Sequence, residues 1–344
     1  MSLTSILDYN NKDFKEFRSL LSDSFPAPKF KLDRKIKSAP LTKNPRLIGK
    51  AFDYLLRFHL KKKYGQKVHE RQWVAESALK SFNDKDNGTV YTKRGELDKL
   101  TDDELLKLFH GKGETDKIRN KKVHERFNEC REIYNQFILS TLKDETDLVK
   151  STLFLGQLDS VVREGQRAKE FVNLLPEDEF DISDLKLLIE NCDLNIFQPK
   201  HKLILNPTFG AGTKLVGGAD ADLIIDDTLI DIKVTKDLNL TRPNYNQLIG
   251  YYLLFLIGGV DDHKDIIIKN LGLYFARHQV LWTIKVDEIA DKEQFDKAKD
   301  YLKRAGKKTY RQQKVYAMRG FSVSIKCNFL ISFSNVGQSG AGRA

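Results

Sequence analysis

Apolar and polar residues alternate from Ala221 to Lys233, then close into an almost unbroken apolar run from Leu248 to Ile257. The first pattern has the period of β-structure and predicts two strands joined at Asp226-Asp227. The second predicts a helix that is apolar almost all round and therefore buried against a sheet. Thr241 and Pro243 mark its start and Gly258-Gly259 its end. Upstream, Val123, Phe127, Cys130, Tyr134 and Phe137 recur at steps of four and three, which makes an amphipathic helix. Leu155, Leu158 and Val162 mark another, and Thr101-Asp102-Asp103-Glu104 is a capping box ahead of Leu105, Leu106, Leu108 and Phe109.

Laid end to end, these signals divide the chain. Residues 1–44 read as an arm with a short helix over Asp13 to Leu21, broken by Pro26, Pro28 and Pro40. A helix follows over 45–64, and residues 65–200 read as a helical insertion, with loops at 83–89 and 111–115. The sheet begins near Lys202 to Leu205 and passes an Asn206-Pro207 turn and a glycine-rich loop, Gly210-Ala211-Gly212. After the buried helix, Leu271 to Arg277 and Val280 to Val286 form a strand pair, and Asp287 to Lys303 is helical. Phe321 to Phe333 adds a last strand before a mobile tail at 336–344. The expected fold is α/β of the α+β kind: a mixed central sheet flanked by helices, in the order helix, three strands, helix, strand, with the insertion after the first helix.

The hairpin collects charge on one face. If the turn has two residues, Ile225 pairs with Thr228, Asp222 lies opposite Asp231, and Asp220 lies opposite Lys233. Residues two apart on a strand share a face, so these side chains converge. Carboxylates set opposite each other repel, and a divalent cation bound by hard oxygen ligands is the natural compensation. Two acids and a lysine around such an ion are a set for cutting phosphodiesters, with the Ile232 carbonyl as a further oxygen. On the following helix Gln247 and Tyr251 are four apart and share a face. The plainer alternatives are a cross-strand Asp220–Lys233 ion pair, a glutamine bonded to a loop carbonyl, and a core tyrosine.

Taken together, Gly217 to Asp222, Asp231-Ile232-Lys233 and Gln247 to Tyr251 resemble the PD-(D/E)XK nuclease superfamily. The likeness is to its RecB-like branch, whose pattern is Gly-x-x-Asp, Asp-x-Lys and Gln-x-x-x-Tyr. The resemblance covers roughly Lys202 to Val286 and implies a restriction-endonuclease-like core at 45–64 and 201–335. It implies a Mg²⁺- or Mn²⁺-dependent nuclease with Asp222 and Asp231 as metal ligands, Lys233 catalytic, and Gln247 and Tyr251 at the site. The spacing from Gly217 lands on Asp220, the hairpin register on Asp222, so Asp222 is the first choice and Asp220 the second. The family also places an acid on an upstream helix. Asp53 is the candidate here, with Gly49 one turn before it and Ile48, Phe52, Leu55 and Leu56 beside it; Glu164 is its rival.

Composition fits a polyanionic partner. The chain has 344 residues and a formal net charge of +10, and excess lysine and arginine favours nucleic acid through counterion release. Positive charge concentrates at Lys61-Lys62-Lys63, at Lys117 to Lys122 and at Lys303 to Lys314. In the last run Lys303, Arg304, Lys307, Lys308 and Arg311 surround Tyr310, a set suited to a nucleic-acid groove with a stacking ring; the plain reading of each run is a solvated surface. Cys130, Cys192 and Cys327 are odd in number and widely spaced, which suggests neither a disulfide framework nor a zinc site and points to the cytoplasm. The N-terminus has no apolar signal core and Leu248 to Ile257 is too short to span a bilayer.

The expected substrate is DNA, with RNA open, in DNA processing or defence against foreign DNA. The alternative is a nucleic-acid-binding or scaffold subunit of the same fold without turnover; protein partners or self-association are not legible. Gly210 to Lys214 lacks the Gly-Lys-Ser/Thr order of a phosphate loop, and His69-Glu70 and His124-Glu125 each lack the second histidine of a zinc protease. Arg277 and His278 are expected at a hairpin turn in a surface role, with phosphate contact as the lesser reading.

Overall fold

The computed structural model describes residues 2–82, 114–164, 172, 174 and 177–318, without side chains at 114–118, 164 and 307–318. The Thr101 capping box, the loop at 83–89, most of the loop at 111–115, the strand at Phe321 to Phe333 and the tail lie outside the described residues, as does Cys327.

The chain begins with α1 (Leu3–Leu7), whose N-cap Ser2 and Ser5 cap each other reciprocally, and α2 (Lys15–Ser24). Then come α3 (Pro45–Tyr64) and a short strand β1 (Val68–Glu70). The helices α4 (Val74–Ala78), α5 (Glu114–Ile138), α6 (Glu145–Glu164) and α7 (Glu179–Glu190) precede β2 (Leu203–Leu205). Next are α8 (Gly210–Val216), β3 (Leu223–Ile225), β4 (Thr228–Lys233) and α9 (Arg242–Gly258). The described chain closes with β5 (Asn270–Phe275), β6 (Val280–Lys285), α10 (Val286–Ile289) and α11 (Lys292–Met318).

One six-stranded mixed sheet runs β1-β2-β3-β4-β5-β6 in sequence order. β1 and β2 are parallel, β2 to β4 are antiparallel neighbours, β4 and β5 are parallel, and β6 returns antiparallel. The parallel β4–β5 step needs a crossover connection, and α9 supplies it. The sheet sorts its apolar residues by period two. Leu203, Leu205, Leu223, Ile225 and Ile230 face a core shared with α3, α5, α6 and α7. Ile204, Ile224, Leu229, Leu271, Leu273 and Phe275 face a second core shared with α1, α2, α9 and α11. The first residues are thus part of the body: Leu3, Ile6, Phe17, Leu21 and Phe25 are each 0–1 % exposed.

Besides this, the segment expected as a helical insertion gives the sheet its strand β1, and two further expectations change. The glycine-rich stretch at Gly210 is a helix, α8, rather than a loop. Its close approach to α9 explains the glycines: a Cβ on Gly212 would collide with Leu254 O, and one on Gly258 with Phe209 O. Arg277 and His278 follow β5 as expected, but they are 1 % and 4 % exposed. Arg277 makes a two-pronged pair with Asp184 of α7, at 2.9 and 2.7 Å, and donates to Ser38 O. A guanidinium buried and paired in this way is not presented to a phosphate at the surface.

The lysine run at the end of α3 is also employed internally. Lys61 Nζ donates to Val68 O, Lys62 lies 4.1 Å over the Phe137 ring, and Lys63 donates to Asn195 Oδ1. Cys130 and Cys192 are free thiols. Among the described residues no helix is long and apolar enough to cross a membrane.

Candidate functional site

The hairpin adopts the register its two-residue turn dictates, with Ile225 opposite Thr228 and Leu223 opposite Ile230. Asp226 takes the left-handed conformation that the turn requires, at φ 53°. Its carboxylate accepts from the backbone N–H groups of Lys200, His201 and Lys202, which pins the entry to β2 against the turn. Continuing the register one pair further sets Asp222 against Asp231, at the end of the sheet where β4 finishes.

Lys233 O accepts from Ala276 N at 2.9 Å, so the polar groups of Lys233 turn towards the β5 side. Main-chain groups alternate along a strand, so those of Ile232 turn towards β3. Ile232 N donates to Asp222 Oδ2 at 2.5 Å, which ties the carboxylate to the strand. The Ile232 carbonyl points to the same side.

Asp231 and Lys233 project to the α9 face. Lys233 Nζ stands 2.6 Å from Asp231 Oδ2 and donates to Gln247 Oε1 at 2.9 Å. Gln247 Nε2 in turn donates to Tyr251 Oη at 2.9 Å, so the two residues one turn apart on α9 form a relay onto the lysine. Gln247 therefore bonds the site rather than a loop carbonyl. Burial, then the negative charges of Asp231 and Asp222, hold the Tyr251 phenol well above its usual range. It remains a hydroxyl across the physiological pH range.

Burial also pushes the Asp222 carboxyl well above the usual carboxylate range, and the charges of Asp231 and Asp53 push it further. Asp53 reaches this field from α3. Its Oδ2 pairs with Arg57, one turn on, at 2.5 Å, while its Oδ1 is buried with no hydrogen-bond partner. Burial raises the Asp53 carboxyl, Arg57 opposes that, and Asp159 adds to it. Arg57 is 2 % exposed and lies over the Tyr54 ring at 4.4 Å.

Asp220 stands apart from Lys233. Arg163 of α6 holds both its carboxylate oxygens, at 3.1 and 2.7 Å, and also donates to the buried Asp159. The expected Asp220–Lys233 cross-strand pair is absent because the chain before Asp222 turns away from β4: Asp220 bridges to Thr208 instead. The side chain of Glu164, the rival to Asp53, lies outside the described residues. Lys303 is half-buried and Arg304 exposed on α11; the side chains of Lys307, Lys308, Tyr310 and Arg311 lie outside the described residues.

Sequence reasoning passed over Arg57, Asp159 and Arg163. Asp159 and Arg163 are four apart on a helix, a spacing that reads as a solvated i,i+4 pair. Nothing local signals that Asp220 completes it from 57 residues away.

The donor set is all hard oxygen: Asp222, Asp231, the Ile232 carbonyl and the unpartnered Asp53 Oδ1. Among the described residues no three His, Cys, Asp or Glu side chains are grouped so that they could hold a metal ion. The Lys233 ammonium supplies the positive charge beside Asp231. The chain matches no protein-family model, no curated protein and no solved structure.

Proposed function

We propose that this protein is a nuclease that hydrolyses phosphodiester bonds with Mg²⁺ or Mn²⁺, built on the restriction-endonuclease-like plan of the PD-(D/E)XK superfamily. The observation that carries the reading is the Lys233 ammonium held between Asp231 and Gln247, beside the Asp222 carboxylate. The element order supports it: helix α3, the antiparallel strands β2 to β4, the crossover helix α9, and β5 parallel to β4.

A bound divalent cation supplies Lewis acidity and a more easily ionised water. Asp222, Asp231 and the Ile232 carbonyl are the residues to hold it. Lys233 directs positive charge at the phosphate oxygens as negative charge grows there. Gln247 fixes the ammonium, and Tyr251 fixes Gln247. Asp53 Oδ1 is a buried acceptor without a hydrogen-bond partner. By analogy with the family the products carry 5′-phosphates, and the biological setting is DNA processing or defence against foreign DNA.

One observation favours a second reading. Arg57 occupies one oxygen of Asp53, the only acid on the upstream helix α3, as suits a nucleic-acid-binding subunit without turnover. Purified full-length chain with DNA or RNA and Mg²⁺ separates the readings. Metal-dependent cutting that disappears in Asp231→Asn supports the nuclease. Binding without cutting of either polymer supports the scaffold.

A further inference from the structure

The segment between α2 and α3 carries a cluster of cations with no counterpart in the structure. Lys29, Lys31, Arg34, Lys35 and Lys37 are all exposed, with Asp33 as the one acid among them. Among the described residues Lys29, Lys31, Arg34 and Lys35 have no ion-pair partner, and Lys37 Nζ reaches only Gln279 Oε1.

The segment is anchored at both ends beside the site. Arg242, in the first turn of α9, donates to Phe25 O and Leu21 O. Phe30 packs on Phe275 and Trp282, with centroids 5.6 and 6.0 Å apart. Phe275 is the direct strand partner of Lys233, so Phe30 covers the strand next to the lysine on the same face. At the other end Lys37 N and Ser38 N both donate to Arg277 O, two residues past Phe275. Ser38 is fully buried. Residues 31–36 therefore leave and return to one place, the end of β5, as a charged loop held against it.

We propose that this loop, residues 29–37, grips the sugar-phosphate backbone of the nucleic acid entering the site, an inference that rests on the nuclease reading. A phosphodiester approaching Asp222, Asp231 and Asp53 meets like charge. A strand bearing one negative charge per about 3.4 Å needs cations next to that cluster, not only within it. The described site supplies one lysine, and the loop supplies five further cations one strand away. Anchoring at Phe30 and Ser38 fixes where they stand without committing their charges.

The test is binding without cutting. Labelled single- and double-stranded DNA are titrated with the full chain in EDTA over a range of salt. The Lys29→Gln, Lys31→Gln, Arg34→Gln, Lys35→Gln variant is compared with wild type, with folding checked by circular dichroism. Each lost phosphate contact lowers the log–log salt slope by about 0.7–0.9, so the variant's slope falls by about 3 to 4. At moderate salt its affinity drops at least about ten-fold. Lys269→Gln, Lys285→Gln, at the opposite end of β5 and β6, removes two cations away from the loop and changes the slope little. A wild-type slope in the loop variant overturns the proposal even if cutting is intact. So does a variant that keeps its nucleic-acid affinity but loses binding to phosphatidylserine vesicles. A lowered slope together with no metal-dependent cutting in the wild type instead overturns the nuclease reading and leaves the loop as a nucleic-acid contact.

Discussion

Lys233 Nζ stands 2.6 Å from Asp231 Oδ2, two positions earlier on the same strand. The Asp-x-Lys spacing brings the two to one face in any strand. The neighbours make the pair unusual: Asp222 across the hairpin, its carboxyl raised in part by the charge of Asp53, and Gln247 on α9. An ammonium beside two acids is a local charge balance that a divalent cation would alter.

Removing the ammonium should remove transition-state stabilisation. Lys233→Ala is expected to slow cleavage about 10²–10³-fold, the effect of losing one charge-stabilising donor, with DNA affinity largely kept. Single-turnover cleavage measures it, and a variant that cuts at the wild-type rate takes Lys233 out of the mechanism.

Asp222 links the site to pH. Its folded carboxyl is raised, so between the unfolded pKa of about 4 and the higher folded value the native state binds the extra proton. Stability then falls as pH rises through that window and levels off above the folded value. Asp53 acts in the same direction. In metal-free buffer Asp222→Asn should flatten the profile, gaining on wild type towards neutral pH. Urea melts from pH 4 upward follow this; parallel profiles exclude Asp222 as the linked group.

Metal should stabilise the native state. Mg²⁺ or Mn²⁺ at a hundred times its dissociation constant adds about 2.7 kcal/mol, seen as a higher melting temperature. Asp231→Ala should abolish the rise. A rise that survives in this variant places the ion elsewhere.

Arg277 tests the frame independently of the chemistry. Its pair with Asp184 is 1 % and 0 % exposed. Removing one member strands the other, at about 3–5 kcal/mol. Arg277→Met should lose that much in urea unfolding while still responding to metal, if it folds. The reciprocal Asp184→Asn should be weakened comparably, and a neutral outcome in both contradicts the buried pair.

The chain's local patterns were sufficient for the hairpin, its register and the α9 boundaries. Alternation with period two, a two-residue acidic turn, a Thr cap and a glycine stop are contained within a few residues each. The Asp231–Lys233 and Gln247–Tyr251 pairings follow from the same periods, because strand and helix geometry alone place those side chains together.

Tertiary structure decided the rest. That Asp220 belonged to Arg163 rather than Lys233 depended on how α6 docks beside the sheet. Gly212 and Gly258 read as punctuation and proved to be the contact between two helices. Arg277 read as surface and was buried, because its partner lies 93 residues away. Contacts between distant segments leave no period in the sequence, and they fix which charges are neutralised and which stay free beside the site.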